Sequence, residues 1–279
     1  MAGPLISVRR IGSAALAALF VYPCQLAGGS TEPPSSSFMA EALRLQLAGP
    51  SIELDYTLSF IGENRSAPVN YHYVRSKTFQ YILTRPAAGF ISYSLEAHVL
   101  RKLVVSGPGK TSGLIHGFKR FGKELGSHQL PDPILMNFAA GDLIDLIKDG
   151  TTAPLPETVD GIACWRVTIQ PTDGPGKGHT YKIWLDSAHG YIPLKIYEKA
   201  RDMENLVHVR ALKDMGNGIW YPTEWDGEIG YGQEAPNRWK VKVTAVSDIS
   251  QAEIEALDTS FPAGTEVKDM LLNADYIQP

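Results

Sequence analysis

Alternation of apolar and polar side chains is the dominant pattern of this chain. From Ile52 to Phe60 every even position is apolar and every odd position is polar. Because successive side chains of a β-strand point to opposite faces, this segment predicts a strand with one apolar face. The same period recurs in Phe79/Tyr81/Leu83, Ile91/Tyr93, Trp165/Val167/Ile169, Ile183/Leu185, Ile192/Leu194/Ile196, Val207/Val209 and Trp239/Val241/Val243/Ala245.

The predicted strands follow one another without a helix long enough to connect parallel neighbours. From Cys164 to Val246 only short turn sequences separate them. Consecutive strands with short connections pair antiparallel. The pattern therefore predicts an α+β fold, mainly antiparallel β, in which the sheet curves into a half-open barrel.

Three segments have helical periodicity. Apolar residues predict a first helix over 38–47 and a short last helix over 249–257. The widest apolar surface belongs to residues 133–149, for which Asp132 is placed as N-cap. We expect this long helix to cover the concave face of the sheet as a lid.

Residues 1–29 have the composition of a secretory signal peptide. Arg9 and Arg10 precede a short apolar run that ends in small residues. We therefore expect export and a periplasmic location. Lipid attachment at Cys24, which would anchor the protein in the envelope, is the alternative, although Pro23 does not suit that signal.

The remaining chain is expected to have three parts: a flexible linker over 30–37, the half-barrel domain over 38–249, and a C-terminal helix with a capping tail over 250–279. If Cys24 is removed with the signal peptide, Cys164 is the only thiol and no internal disulfide can form. A single cysteine in an apolar strand is typical of a small buried side chain.

Composition narrows the functional classes. With 279 residues, 44% of them hydrophobic and 20% charged, the chain is an ordinary globular protein. Its formal charge of −4 gives no reason to expect nucleic acid as a partner. After the signal peptide, no segment approaches the roughly 20 apolar residues that span a bilayer.

Motifs for catalysis or cofactor binding are weak. Residues 107–113 contain Gly-Lys-Thr, but Val104 stands where a phosphate-binding loop needs glycine, so a turn is predicted. The sequence has no Gly-x-Ser-x-Gly elbow and no His-Glu-x-x-His helix. The seven histidines lie singly along the chain, at His72, His98, His116, His128, His179, His189 and His208. We expect no cofactor and no metal site.

One acidic pair is a candidate for acid–base chemistry. Asp226 and Glu228 are two residues apart and can share a strand face, at a spacing that loosely suits glycoside hydrolysis. A solvated surface explains the same residues more simply. We predict no enzyme; a hydrolase whose triad is assembled only by folding is the weakest alternative.

Several diffuse motifs occur in a characteristic order on this chain. They are Asp132-Pro133 before the mid-chain helix, Val159-Asp160-Gly161 before Cys164-Trp165-Arg166-Val167, Tyr181-Lys182-Ile183-Trp184-Leu185-Asp186, Gly190-Tyr191-Ile192-Pro193-Leu194-Lys195, Gly218-Ile219-Trp220-Tyr221-Pro222 and Phe261-Pro262-Ala263-Gly264-Thr265. Over residues 38–247 the chain resembles the LolA-like, or outer-membrane lipoprotein-sorting, superfamily. The resemblance implies a half-open barrel with a helical lid, whose apolar interior shelters the acyl chains of a lipid or lipoprotein. It implies no catalytic residue.

The predicted function is non-catalytic binding of a lipid or lipoprotein acyl chain, as a carrier or sensor. The alternative is an envelope interaction module with a packed interior and a protein partner, because small barrels also fill themselves with side chains. The residues expected to face the ligand are Leu54, Tyr56, Leu58, Phe60, Phe79, Tyr81, Ile91, Tyr93, Leu135, Phe138, Leu143, Ile147, Trp165, Val167, Ile183 and Leu185.

Overall fold

The strands pair in nearly the order in which they follow one another along the chain. A computed structural model describes residues 32–62, 67–86, 89–117, 133, 137–138, 141–174 and 176–279. The predicted signal peptide and Cys24 lie outside the described residues. The strands are β1 (Ile52–Ile61), β2 (Val69–Arg75), β3 (Phe79–Thr84), β4 (Phe90–Glu96), β5 (Val99–Val105), β6 (Thr111–Gly117), β7 (Asn137–Phe138), β8 (Gly141–Asp142), β9 (Thr151–Thr152), β10 (Glu157–Val159), β11 (Ile162–Ile169), β12 (His179–Asp186), β13 (Ile192–Ala200), β14 (Met203–Asp214), β15 (Trp220–Tyr231), β16 (Asn237–Asp248), β17 (Glu266–Asp269) and β18 (Ala274–Ile277).

The main sheet has β1 near its middle. Strand β1 pairs antiparallel with β16 on one side and with β2 on the other. From β2 the order continues through β6, and from β16 it descends to β10, with β9 beside β11. Strand β17 joins β6 in parallel and β18 forms the edge. The sheet is curved and does not close, which confirms the predicted mainly antiparallel, half-open barrel.

Three strand pairings of the sheet contain register shifts. Irregularities lie between Asp55 and Tyr56 of β1, and between Trp184 and Leu185 of β12. Strand β14 has two more between Val209 and Leu212. Because an extra residue in one strand bends it and increases its twist, these positions favour curvature of the sheet.

Helix α1 (Ser36–Leu47) begins two residues before the predicted start, within the segment expected to be linker. The Ser35 side chain caps it by accepting a hydrogen bond from the Phe38 N–H at 3.2 Å. Its buried residues are Met39, Ala40, Leu43 and Gln46. Helix α1 therefore packs one apolar face against the rest of the protein.

The long mid-chain helix was predicted wrongly. Only Leu143–Lys148 form a helix, α2, and its N-cap is Asp142, which accepts a hydrogen bond from the Asp145 N–H at 2.9 Å. Upstream, β7 and β8 pair with each other, so the backbone there is extended. Asp132 and residues 134–136, Leu135 among them, lie outside the described residues. Asp142 can cap the turn that follows, whereas Gly141 within a helix costs about 1 kcal/mol, so the helix starts late.

Helix α3 (Gln251–Glu255) packs on the face of the sheet opposite to α1 and α2. Ser250 and Glu253 form a capping box at its start. Its Ile254 packs with Val74, Phe79 and Tyr81 in a separate apolar cluster. The predicted short last helix is therefore confirmed.

Two further segments extend the sheet. Residues 94–105 contain the end of β4 and strand β5, which pairs with β4 and β6. Its connection to β6 is a tight turn in which Gly109 has φ +72°, as expected for a turn rather than a phosphate-binding loop. The C-terminal tail adds β17 and β18 at the sheet edge.

Candidate ligand-binding face

The apolar residues of β1 define the inner, concave face of the sheet. Cross-strand pairing places Leu58 beside Val69 and Val241, and Val241 beside Trp225. The next row runs Phe60, Trp239, Gly227, Val207, Ile196, Ile183 and Val167. All residues of these two rows except Val69, Phe60 and Gly227 are buried in one core cluster. The inner face is therefore continuous from β2 to β11.

Most of the predicted ligand-facing residues meet on this face. Nine of them belong to its buried cluster: Leu54, Tyr56, Leu58, Tyr93, Leu143, Ile147, Val167, Ile183 and Leu185. Ile91 and Trp165 are partly buried against it. Phe60 is in register with the inner row but is 36% exposed, so it lies at the rim. Leu135 and the Phe138 side chain lie outside the described residues.

Phe79 and Tyr81 do not face the concave side. They pack under α3 on the outer face, whereas Ile82 between β2 and β4 belongs to the inner cluster. The register explains this placement, because Ile82 pairs with Tyr73 and Tyr81 pairs with Val74. Strand β3 is apolar on both faces, so alternation alone chose the wrong one.

Two helices cover the inner face. Met39 and Leu43 of α1, with Leu143 and Ile147 of α2, are all fully buried in the same cluster. The Ser36 hydroxyl donates to the Lys148 carbonyl at 3.0 Å and joins the helix ends. The predicted helical lid is thus present, built from two short helices.

Gln46 fixes the C-terminal end of α1 to the β14–β15 turn. Its Nε2 donates to the Gly218 carbonyl at 3.0 Å, and its Oε1 accepts from the Trp220 N–H at 2.8 Å. The side chain fits because Gly190 opposite it has no Cβ; such an atom would lie 2.0 Å from Gln46 Nε2. Gly190 also has φ +68°, which glycine adopts without strain.

A group of tyrosines lines the β1–β4 part of the inner face. The rings of Tyr56 and Tyr71 stack with centroids 4.8 Å apart. Burial raises the pKa of both phenols, that of Tyr56 well above 10.0. The Lys102 ammonium lies 5.3 Å from the ring centroid of Tyr93. The Tyr56 and Tyr71 phenols are neutral at physiological pH, so this part of the face is aromatic and weakly polar.

The inner face also carries four polar residues that the sequence analysis missed: His179, Tyr181, Glu198 and Asn205, which we call the polar cluster. His179 Nδ1 lies 2.8 Å from Glu198 Oε1 and 3.2 Å from the Tyr181 hydroxyl. Glu198 and Asn205 are only 5% and 7% exposed. A sequence signal existed, since Glu198 continues the apolar series of Ile192, Leu194 and Ile196 in β13.

Two buried polar atoms of this face have no hydrogen-bond partner among the described residues. They are Asn205 Oδ1 and Trp225 Nε1, and Trp225 is fully buried. Buried polar groups in proteins are usually paired, with protein, water or a ligand. These atoms mark places where a bound molecule can add hydrogen bonds to an otherwise apolar surface.

Two cavities bounded by described residues have charged side chains in their linings. One of about 790 Å³ lies between α2 and β11 and is lined by Asp145, Asp149, Arg166 and Asp173, among others. Another, of about 410 Å³, lies over Asp226 and Glu228. Among the described residues no group of three or more His, Cys, Asp or Glu is placed to hold a metal ion.

Asp226 and Glu228, considered for acid–base chemistry, are both in ion pairs across neighbouring strands. Asp226 Oδ2 lies 2.7 Å from Arg210 Nε, and Glu228 Oε2 lies 3.1 Å from Arg238 Nε. Cross-strand pairs of opposite charge stabilise a solvated sheet face. The contacts therefore give both carboxylates a structural role.

Cys164 is fully buried in the core cluster. Burial, followed by the Asp186 carboxylate, raises the pKa of its thiol to about 12. Because the thiolate is the nucleophilic form, this cysteine is protonated and unreactive at neutral pH.

The chain matches known proteins in the comparison of structures but not in the comparisons of sequence. No family model and no curated protein sequence matches the chain. A DUF1329 family protein from Desulfovibrio piger matches with a TM-score of 0.53 at 14% identity, over 79% of this chain and 96% of that one. A LolA superfamily protein from Nitrosomonas europaea matches with a TM-score of 0.51 at 9% identity, over 81% of this chain and 99% of that one.

These matches agree with the curved sheet and its two covering helices. None of the described helices is both long and apolar enough to cross a membrane. TM-scores of 0.53 and 0.51 over about four fifths of this chain show a fold shared with both solved structures. The chain therefore has a LolA-like fold.

Proposed function

We propose that this protein binds the acyl chain of a lipid or lipoprotein on the inner face of its sheet, without catalysis, as a carrier or sensor in the cell envelope. The observation that carries the proposal is the continuous apolar inner face covered by α1 and α2. The LolA-like fold supports it, and so does the predicted signal peptide, which also supports a periplasmic location. Anchoring through a lipid on Cys24 remains the alternative location.

The energetics suit such a ligand. Each methylene removed from water contributes about 0.8 kcal/mol, so a chain of about 16 carbons supplies on the order of 10 kcal/mol before entropic costs. Local opening can separate covering helices from a sheet. We propose that α1 is the element that moves, which requires Met39 and Leu43 to leave the core cluster and the hydrogen bonds of Ser36 and Gln46 to break.

Purification of the chain without residues 1–29 tests this proposal. We expect native mass spectrometry to reveal bound lipid, and an apolar fluorescent dye to bind saturably and be displaced by fatty acids. The absence of both a lipid adduct and saturable dye binding would contradict the proposal.

A second candidate function is supported by strand β18 at one edge of the sheet. All four residues of β18 are exposed, and Met270, Leu271 and Leu272 beside it are 59%, 52% and 73% exposed. An exposed edge strand with apolar neighbours can receive an added strand from a protein partner. This observation favours an envelope interaction module.

The edge is tested by a variant with Leu272→Asp and Ile277→Asp. If the edge binds a protein, the native chain will associate with itself or co-purify with one partner, and the variant will not. Sedimentation that shows the same free monomer for both chains would exclude this candidate.

A further inference from the structure

The polar cluster interrupts an otherwise apolar row of the inner face. Cross-strand pairing sets Ile169 beside Tyr181, Tyr181 beside Glu198, and Glu198 beside Asn205; Asn205 in turn is opposite Ile229. The ends of this row are therefore isoleucines and its middle is polar. A carboxylate in such surroundings is costly unless its hydrogen bonds are made.

The hydrogen bonds within the polar cluster do not use all of its hydrogen-bond acceptors. Glu198 Oε1 is close to His179 Nδ1, and Glu198 Oε2 accepts a long 3.5 Å bond from Asn205 Nδ2. Among the described residues Asn205 Oδ1 has no hydrogen-bond partner, although Asn205 is only 7% exposed. An amide oxygen accepts up to two hydrogen bonds and donates none. What is missing from the cluster is a donor.

We propose that the polar cluster receives a hydrogen-bond-donating head group, an ammonium or a hydroxyl, of the ligand whose acyl chain lies on the inner face. The inference rests on the proposed function and adds the chemistry of the head group. The donor group bonds to Asn205 Oδ1 and lies beside the Glu198 carboxylate, which also only accepts when ionised. A head group that carries only acceptors, such as an ester, leaves Asn205 Oδ1 unpaired and meets Glu198 unfavourably.

Four probes with a 16-carbon chain test the head group: hexadecylamine, hexadecanol, methyl hexadecanoate and hexadecanoate. Each is titrated against a bound apolar dye. We expect the amine or the alcohol to bind about tenfold more tightly than the ester, because a hydrogen bond to a buried polar or charged group has about that effect. Preference for the amine assigns an ammonium, and preference for the alcohol assigns a hydroxyl.

The variant Asn205→Leu removes the acceptor and keeps a side chain of similar size. We expect it to lose the preference for the donor probe over methyl hexadecanoate to within about twofold. Asn70→Leu is the control, since Asn70 is exposed on the outer face of β2. It should keep the preference.

The outcomes separate the two proposals. Equal binding of the amine, the alcohol and the ester by the native protein, or tightest binding of hexadecanoate, overturns the inference about the head group and leaves acyl binding intact. An Asn205→Leu variant that binds the ester normally and keeps the donor preference also overturns it. If that variant no longer binds the ester, the native preference alone decides. If none of the four probes displaces the dye, the proposed function fails and this inference fails with it.

Discussion

A Cβ atom on Gly227 would lie 2.1 Å from Cε2 and Cζ2 of Trp239, its partner across the β15–β16 ladder. The indole of Trp239 therefore lies over the bare backbone of β15, where any other residue would displace it. Because Trp239 is 2% exposed, the ring has little room to move. This contact shapes the floor of the inner face.

We expect Gly227→Ala to lower the free energy of unfolding by about 1–3 kcal/mol, the usual cost of overpacking a core. Gly230→Ala in the same strand is the control, because a Cβ there would meet only Pro236, at 3.5 Å. Urea denaturation followed by circular dichroism measures both. Equal stability of the two variants would show that Trp239 does not depend on Gly227.

The two hydrogen bonds of Gln46 predict how firmly α1 is held. Its amide bonds to Gly218 and Trp220, and the side chain is 8% exposed. Gln46→Ala should lower the free energy of unfolding by about 2 kcal/mol, since buried backbone groups lose their partner. Gln251→Ala, at an exposed position of α3, should change it by less than about 0.5 kcal/mol. If Gln46→Ala also lowers the free energy of unfolding by less than about 0.5 kcal/mol, Gln46 does not anchor α1.

His208 predicts a pH dependence of stability. Burial, followed by the Arg210 guanidinium, lowers the pKa of this imidazole below 6.5, and Asp160 offsets the change only in part. In the pH range between the lowered folded pKa and the ordinary unfolded one, the unfolded chain binds more protons at this residue. The contribution of His208 to stability is therefore present above that range and is lost as the pH falls through it.

Unfolding by urea at about pH 7.5 and about pH 5.5 measures this effect. We expect the native chain to lose more stability between the two values than His208→Gln does. The same loss in both chains would mean that His208 keeps its ordinary pKa in the folded protein.

Cys164 predicts low thiol reactivity in the folded state. With its pKa raised to about 12, only a fraction on the order of 10⁻⁴ of the thiol is ionised at about pH 8. A chain without residues 1–29 should therefore release almost no thionitrobenzoate from Ellman's reagent until it is unfolded in guanidinium, when one equivalent appears. Rapid reaction of the folded chain would reveal an accessible, activated thiol.

Much of the fold was predictable from strand alternation. The pattern of Leu54, Tyr56 and Leu58 gave the inner face of β1 correctly, because the other face of this strand is polar from Glu53 to Ser59. The same reasoning failed for Phe79 and Tyr81, because Ile82 on the opposite face is equally apolar. Which face of β3 is concave depends on its pairing with β2 and on α3, 170 or so residues away, and no local pattern contains that information.

The helical lid and the polar cluster show two other limits of prediction from the sequence. The broad apolar surface of residues 133–149 was interpreted as one helix, but burial in a core explains apolar residues in any backbone conformation. The cap at Asp142 was a usable signal. In the polar cluster, Glu198 and Asn205 are polar residues at positions where strand alternation places apolar ones. That they lie side by side depends on the register of β13 and β14.

Photocrosslinking tests most directly the claim that an acyl chain lies on the inner face. A 16-carbon fatty alcohol with a diazirine at mid-chain is bound, irradiated and mapped by peptide mass spectrometry. We predict adducts on inner-face residues such as Tyr56, Trp225 or Trp239, and their loss when unlabelled alcohol competes. Adducts confined to outer-face residues such as Tyr81 or Tyr197, or adducts that competitor does not reduce, would contradict the account.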